Sequence, residues 1–243
     1  MNLTGLMRAC RYSYPPNSLS LCGPQKQRDL AWYTSQQQPD AGTKEILSQF
    51  GTLYPYLVLI ASHNHISDPF DERVVEAYWL GNKLLANVPI RAFETHMTDT
   101  MMLRKKIPSQ ALGKTLSKLD SGALPCHAFH VLNIYKRTGH TGSDHTIQTM
   151  DACIINWGKV LKVLPDGFVV NSKPLVRAGD TLQWGNIMKR KILFQGEKDS
   201  LKEEVRTGDW VSYHWGYMCE KVTAMHVLQL RYYTNKAITL ANH

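Results

Sequence analysis

One stretch near the end of the chain, residues 208–217, constrains the fold more than any other. Its bulky residues alternate with small or polar ones, and the two sets are Val211, Tyr213, Trp215 and Tyr217 against Ser212, His214 and Gly216. A period of two is typical of a β-strand with one buried face, and aromatic and β-branched residues suit that face. The pattern predicts one strand through residue 217. It places His214 on the face opposite the bulky side chains, where a second group can approach its ring.

The composition limits the class of protein. The chain has 243 residues, of which 43% are hydrophobic and 20% charged, as expected for a soluble globular protein of one or two domains. No apolar run approaches the ~20 residues of a membrane helix, and the first residues lack the apolar core of a secretory signal. We therefore expect a cytoplasmic protein with no membrane partner. The formal net charge of +8 favours an acidic partner, but no nucleic-acid-binding motif accompanies it, so nucleic acid is not the expected one.

The periodicity changes along the chain and predicts an α+β protein of two parts. Residues 1–148 are interpreted as a mainly helical domain, and residues 149–243 as short strands that close into a small barrel, followed by a helix from Thr223. The first of those strands is expected to begin at Cys153 and to bend at a glycine. Residues 1–40 are expected to be irregular because Pro15 and Pro16 fix the backbone there. Pro55 predicts a kink or two shorter helices in the segment after Thr43. A further helix is expected to start near residues 67–72 and to run to residue 88.

A thiol and two imidazoles lie close together in the segment 124–132. Cys126, His127 and His130 are the residues concerned. In a helix the two histidines share one face at spacing i, i+3, whereas in a strand they point to opposite faces. A metal site here needs a further ligand such as His140 or His145. The alternative is that these histidines are buried and bonded to the backbone.

Two motifs in the second part resemble those of the HypC/HupF family of nickel–iron hydrogenase maturation chaperones. The first is Cys153-x4-Gly158-Lys159-Val160, since that family begins with a cysteine followed at this distance by Gly-Lys/Gln-Val. The second is the family pattern Gly-Asp-x-Val-x-x-His-x-Gly-Phe, which residues 208–217 match with the letters GDWVSYHWGY. The resemblance covers about residues 150–243.

The resemblance implies both a fold and a role. The fold is a small OB-like β-barrel with a C-terminal helix, and the role is to carry iron that bears cyanide and carbonyl ligands. The partner is either a maturation scaffold protein or a hydrogenase large-subunit precursor. By the same resemblance Cys153 and His214 are the iron ligands, and Cys219 is a substitute thiol. Thiolate and imidazole both suit iron, and two protein ligands leave the metal exchangeable, as a carrier requires.

The helical part also resembles an uncharacterised bacterial family, and other functions stay open. The resembling stretches are residues 11–17, 22–24 and 71–79, and they indicate no activity. The chain lacks a nucleophile elbow, a Walker loop and a dinucleotide fingerprint, so the sequence favours a role other than catalysis. The alternatives are a protein-interaction module without metal and a metal-dependent enzyme that uses Cys126, His127 and His130. A nucleic-acid binder is the weakest.

Overall fold

Helices come first, strands second, and one long helix ends the chain. The computed structural model describes residues 2–134, 145–197 and 199–243. Within them the α-helices are α1 (Leu3–Ser18), α2 (Gln27–Gln36), α3 (Ala41–Ser48), α4 (Leu53–Ser62), α5 (Glu72–Trp79), α6 (Ile90–Thr95), α7 (Leu103–Lys106), α8 (Ser109–Ser117), α9 (His127–Asn133), α10 (Ile147–Cys153), α11 (Leu201–Glu204) and α12 (Ala224–Ala241). A 3₁₀ helix (Lys83–Asn87) and a π-helical turn (His96–Thr100) flank α6.

The strands form a five-stranded ring and a separate hairpin. They are β1 (Asn156–Leu164), β2 (Gly167–Ser172), β3 (Leu175–Ala178), β4 (Thr181–Trp184), β5 (Met188–Leu193), β6 (Trp210–His214) and β7 (Tyr217–Lys221). The ring order is β1-β2-β5-β7-β6, with β6 back on β1, and β3 pairs only with β4. The link between β5 and β7 is a single parallel pair, Leu193 with Tyr217, so the ring is nearly open there. The α+β class is confirmed.

The prediction that residues 1–40 are irregular is wrong. Helix α1 contains both prolines, in its last turn, and Asn2 caps its first turn by accepting a hydrogen bond from the Gly5 N–H. A proline has no N–H, so Pro15 and Pro16 leave the carbonyls four residues earlier without their helical donors. The helix persists because those carbonyls, of Arg11 and Tyr12, accept side-chain donors from the second part of the chain.

Two expectations about the strands are also wrong. The strand through residues 208–217 stops at His214, because Trp215 and Gly216 both have positive φ, 51° and 78°, and turn the chain back into β7. Cys153 does not start a strand but ends α10, whose first turn is held by the reciprocal bonds of Thr146 and Thr149. The expectation of a single buried face does not hold either, because residues 211–214 of β6 are buried on both faces.

The remaining helix predictions are confirmed in part. The segment after Thr43 does contain two shorter helices, α3 and α4, but the break between them lies at residues 49–52, and Pro55 is inside α4. The helix expected to run to residue 88 ends earlier, at Trp79, since Gly81 at φ 86° turns the chain. The terminal helix is confirmed, and Thr223 caps it. None of the described helices combines the length and the apolar composition that crossing a membrane requires.

The helical part and the ring of strands are packed tightly together. The large core of the helical part includes Ile155 and Cys219 from the second part. Arg11 of α1 makes a two-pronged ion pair with buried Asp199, at 3.0 Å for each nitrogen–oxygen contact. Such a pair is costly to bury unless its geometry is good, and here both prongs are satisfied. The division into residues 1–148 and 149–243 stays a prediction, although the interface between the two parts is where the candidate site lies.

Candidate metal centre

Three metal-binding side chains meet between the helical part and the ring. They are His127 at the start of α9, Cys153 at the end of α10 and His214 at the end of β6, and their ligand atoms all lie within 4.8 Å of one another. Both histidines are buried, and Cys153 is half-buried. Cys153 takes no part in a disulfide. A thiol and two imidazoles form a donor set that suits a transition metal such as zinc or iron.

A backbone hydrogen bond holds Cys153 beside His214. The Trp215 N–H donates to the Ala152 carbonyl over 2.8 Å. The residue after His214 is thereby tied to the residue before Cys153. The tight turn at Trp215 and Gly216 brings that N–H to the end of α10. The pair is therefore assembled by the β6–β7 turn and not by cross-strand pairing within the ring.

Pro16 frees the backbone carbonyl that orients the His214 ring. The carbonyl of Tyr12, which lacks its helical donor because residue 16 is proline, accepts a hydrogen bond from His214 Nδ1 over 2.8 Å. A carbonyl only accepts, so the proton is on Nδ1 and Nε2 of the neutral ring carries a lone pair. Nε2 is buried and has no hydrogen-bond partner among the described residues. This is how proteins hold a metal-binding histidine, with one nitrogen anchored and the other available.

His127 is anchored in the same way. Its Nε2 donates to the Cys153 carbonyl over 2.8 Å, which leaves the lone pair on Nδ1. The Tyr78 hydroxyl lies 3.3 Å from Nδ1. The ring centroids of His127 and His214 are 5.2 Å apart, edge to face. His127 is therefore a candidate third donor, and its bond to the Cys153 carbonyl keeps the ring beside the other two side chains.

Burial keeps both imidazoles neutral. It lowers the pKa of His214 to about 4, an effect that the backbone of Tyr12 and then that of Cys153 partly oppose. Burial, and then the proximity of His214, hold the pKa of His127 well below its ordinary value. A neutral ring is the form that binds a metal, so protons do not compete for these nitrogens near neutral pH.

A cavity of about 70 Å³ adjoins the three side chains. A cavity needs a volume of ~10–15 Å³ to hold one water molecule, so this one accommodates a few small molecules but not an organic cofactor. Besides His214, two cavity-lining residues have buried polar atoms without a hydrogen-bond partner among the described residues: Ser13 Oγ and Trp79 Nε1. Native proteins rarely leave such atoms unsatisfied, so three around one cavity indicate a place for a polar guest.

A family model covers the whole chain, residues 1–243, and it is described as a family of unknown function. The chain belongs to the DUF6390 family. No curated protein and no solved structure matches the chain. The DUF6390 model spans the helical part and the ring together, so all three members of the cluster lie inside one family unit. The resemblance to HypC/HupF chaperones stays a prediction.

Not every candidate residue of this DUF6390 chain joins the cluster. His130 lies on the same face of α9 as His127. Both His130 and His145 line the cavity, but neither belongs to the group of three. His130 Nδ1 lies 3.2 Å from the Tyr56 hydroxyl, and burial lowers its pKa to about 3. His140 lies outside the described residues.

Cys126 and Cys219 are not among the lining residues of the cavity. Cys126 faces a small pocket between α9 and α12, and burial raises its pKa to about 11. Burial also raises the pKa of Cys219 well above its ordinary value. Cys126 therefore does not share the cavity with His127 and His130, as the proposed enzyme site requires. Both thiols instead lie in the apolar core.

The residues that complete the site were not predictable from sequence patterns. Those patterns place His127 and Cys153 in separate candidate sites and indicate no role for Ser13 or Trp79. One signal was present, since adjacent prolines within a helix free two neighbouring carbonyls for outside donors. Using that signal requires knowing that residues 3–18 are helical.

Proposed function

We propose that this protein is a cytoplasmic metal carrier for metallocentre maturation, and that it binds an iron fragment through Cys153 and His214 with His127 as a third donor. One observation carries the proposal. The three ligand atoms lie within 4.8 Å of one another, and His214 Nε2, although buried, has no hydrogen-bond partner among the described residues. An unsatisfied buried nitrogen beside a thiol is costly unless something binds it.

The donor set suits a carrier better than a permanent metal site. Structural zinc sites use four protein ligands, whereas three leave coordination positions open for ligands that travel with the metal. The cavity of about 70 Å³ limits those ligands to a few atoms each, as cyanide and carbon monoxide are. The Ser13 hydroxyl and the Trp79 indole N–H are donors that suit a cyanide nitrogen.

The resemblance of Cys153 and His214 to the HypC/HupF motifs supports the identity of the cargo and of the partner. On that basis the protein receives its iron from a maturation scaffold protein or delivers it to a hydrogenase large-subunit precursor. The helical part contributes His127 and the Tyr12 carbonyl, so in this chain the carrier site needs both parts.

Anaerobic isolation of the full chain with its partner tests the proposal. We expect bound iron, with infrared bands of cyanide and carbon monoxide, and loss of both in Cys153→Ala and in His214→Ala. Cys10→Ala is the matched control, because it removes a buried thiol that does not line the cavity. Full iron content and unchanged bands in both cavity variants would exclude the proposal. Equal partner binding by the metal-free double variant would instead favour the interaction module.

A further inference from the structure

A second, larger cleft lies on the outer face of the ring, beside α12. Its volume is about 560 Å³, within the range of ~300–1,000 Å³ that is usual for small-molecule sites. Strands β1, β2, β4 and β6 and helix α12 supply its walls. The lining residues on which the argument depends are three tryptophans, three cations and two amides: Trp157, Trp184, Trp210, Lys159, Lys173, Arg231, Asn171 and Asn235.

The three indoles of the cleft are only half-buried. Trp157 and Trp184 pack edge to face, with ring centroids 5.4 Å apart. Trp184 Nε1 donates to Asn235 Oδ1 over 2.7 Å, which fixes that ring against α12. Half-buried indoles that line an open cleft are suitable surfaces for a planar ring to stack on, and such stacking is worth ~1–3 kcal/mol per base in single-strand-binding proteins.

The cations of the cleft are not neutralised by the protein. Lys159, Lys173 and Arg231 are exposed, and none of them forms an ion pair with an acidic residue of the described chain. The described residues that line the cleft include no aspartate or glutamate. Lys159 is paired across the sheet with Trp210 on one side and with Asn171 on the other. Positive charge and an aromatic ring therefore lie side by side.

We propose that this cleft binds an aromatic base joined to a phosphate, either as a free mononucleotide or as one nucleotide of a single strand. The base stacks on the indoles, with Trp210 beside Lys159 as the main surface. The phosphate lies against Lys159 and Arg231. The Asn171 amide supplies a hydrogen bond to the edge of the base. This site is separate from the cavity of the metal centre, since the two share no lining residue.

Titration of the protein with nucleotide and phosphate probes, monitored by tryptophan fluorescence and by calorimetry, tests this assignment. The probes are a single-stranded oligothymidylate, adenosine monophosphate, inorganic phosphate, and polyphosphate without bases. We expect the base-bearing probes to quench the fluorescence and the others not to. Saturation by adenosine monophosphate identifies a free nucleotide as the source. Binding of the oligonucleotide alone identifies a nucleic-acid strand.

Matched variants separate stacking from charge. Trp210→Leu should weaken binding of the base-bearing probe roughly 5- to 150-fold. The double variant Lys159→Gln/Arg231→Gln should weaken it and flatten the dependence of log K for the oligothymidylate on log salt by about 0.7, the value for one phosphate contact. Trp32→Leu and Lys105→Gln are controls, because both residues are exposed and neither lines the cleft. A defect of folding alone would not change the salt slope.

Three outcomes would overturn the assignment. One is that no base-bearing probe binds at low salt. Another is that polyphosphate without bases binds as tightly as the oligonucleotide and Trp210→Leu has no effect, which reduces the cleft to a non-specific cationic surface. The last is that the controls weaken binding as much as the cleft variants do.

Discussion

The cavity of the metal centre and the tryptophan cleft differ in almost every physical respect. The cavity is small and lies between the two parts of the chain, and buried neutral imidazoles and a thiol adjoin it. The cleft is about eight times larger, lies on the outside of the ring, and is lined by exposed cations and half-buried indoles. One protein thus combines a desolvated cluster of candidate metal ligands with an open cleft of cations and indoles.

The difference shows what each kind of site requires of the fold. Histidines that stay neutral well below pH ~6.5 require burial, and burial of polar side chains requires anchoring partners such as the Tyr12 and Cys153 carbonyls. In this protein the interface between the two packed parts supplies those partners. Exposed cations need no such support, so a strand face and one helix face suffice for the cleft. Because the two sites share no lining residue, each can serve as the reference when the other is changed.

Removal of a cluster ligand should have the largest effect. Cys153→Ala or His214→Ala should lower the affinity for ferrous iron by more than ~100-fold, because even residues that only orient a ligand change metal affinity ~10–100-fold. Anaerobic iron titration monitored by absorbance measures this. The affinity for a nucleotide at the cleft should stay unchanged in both variants. A parallel loss at both sites would mean that the substitutions disturb the whole fold.

Acid should destabilise the protein through the buried histidines. The folded-state pKa values of His96, His130 and His214 are about 4, 3 and 4, against ~6.5 in the unfolded chain. Below pH ~6.5 the unfolded chain therefore binds protons that the folded chain cannot, and the free energy of unfolding falls as the pH drops toward 4. At pH ~5 each of these histidines should account for a loss of about 2 kcal/mol. Urea unfolding at pH ~7.5 and ~5 measures the difference.

His96 separates this effect from the metal centre, since it packs on Tyr56, with ring centroids 4.4 Å apart, and does not line the cavity. In His96→Gln the fall in the free energy of unfolding between pH ~7.5 and ~5 should be about 2 kcal/mol smaller than in the wild type. In His65→Asn, which removes an exposed imidazole, that fall should equal the wild-type value. If both variants lose the same stability on acidification as the wild type does, then burial of His96 is not a source of the acid sensitivity.

Trp210→Leu should give the converse of the first prediction. Nucleotide affinity should fall roughly 5- to 150-fold because one stacking surface is lost. Iron affinity should be unaffected, since Trp210 does not line the cavity. Measuring both affinities on the same preparation tests the independence of the two sites. Reciprocal changes would show that they are coupled through the strands that they share.

Pro16→Ala should have the smallest effect. An alanine at this position restores an N–H that competes with His214 Nδ1 for the Tyr12 carbonyl, so iron affinity should fall about tenfold. Nitrogen NMR of His214 should show a mixed tautomer, which a purely structural change does not produce. Pro15→Ala is the control, because the carbonyl that it affects, that of Arg11, accepts from Gln195 instead. Equal losses in the two variants would contradict the role given to Pro16.

Parts of the fold were predictable because they follow from local patterns. Thr223 begins α12 because a capping residue precedes a helical sequence, and the alternation in β6 places Ser212 and His214 on one face. The helix α1 was not predictable in this way. Its prolines argue against a helix locally, and it is stabilised by partners about 180–200 residues away, Gln195 and His214.

The candidate site was half predictable. The family resemblance selected Cys153 and His214 as one pair, and the structure places their ligand atoms within 4.8 Å of each other. It could not select His127, which was assigned to a different cluster. The cleft was not predictable at all, because its basic and aromatic residues are scattered over residues 157–231 and form no contiguous motif.

The sequence by itself determined the α+β class and the terminal helix, since each depends on residues close in the chain, and a motif resemblance suggested that a thiol pairs with an imidazole. Only the tertiary structure decided that His127 joins that pair, that the Tyr12 carbonyl orients His214, and that three tryptophans share one cleft. The physical reason is that these features are contacts between distant segments. Burial, freed carbonyls and turn geometry act together there, and no local pattern records them.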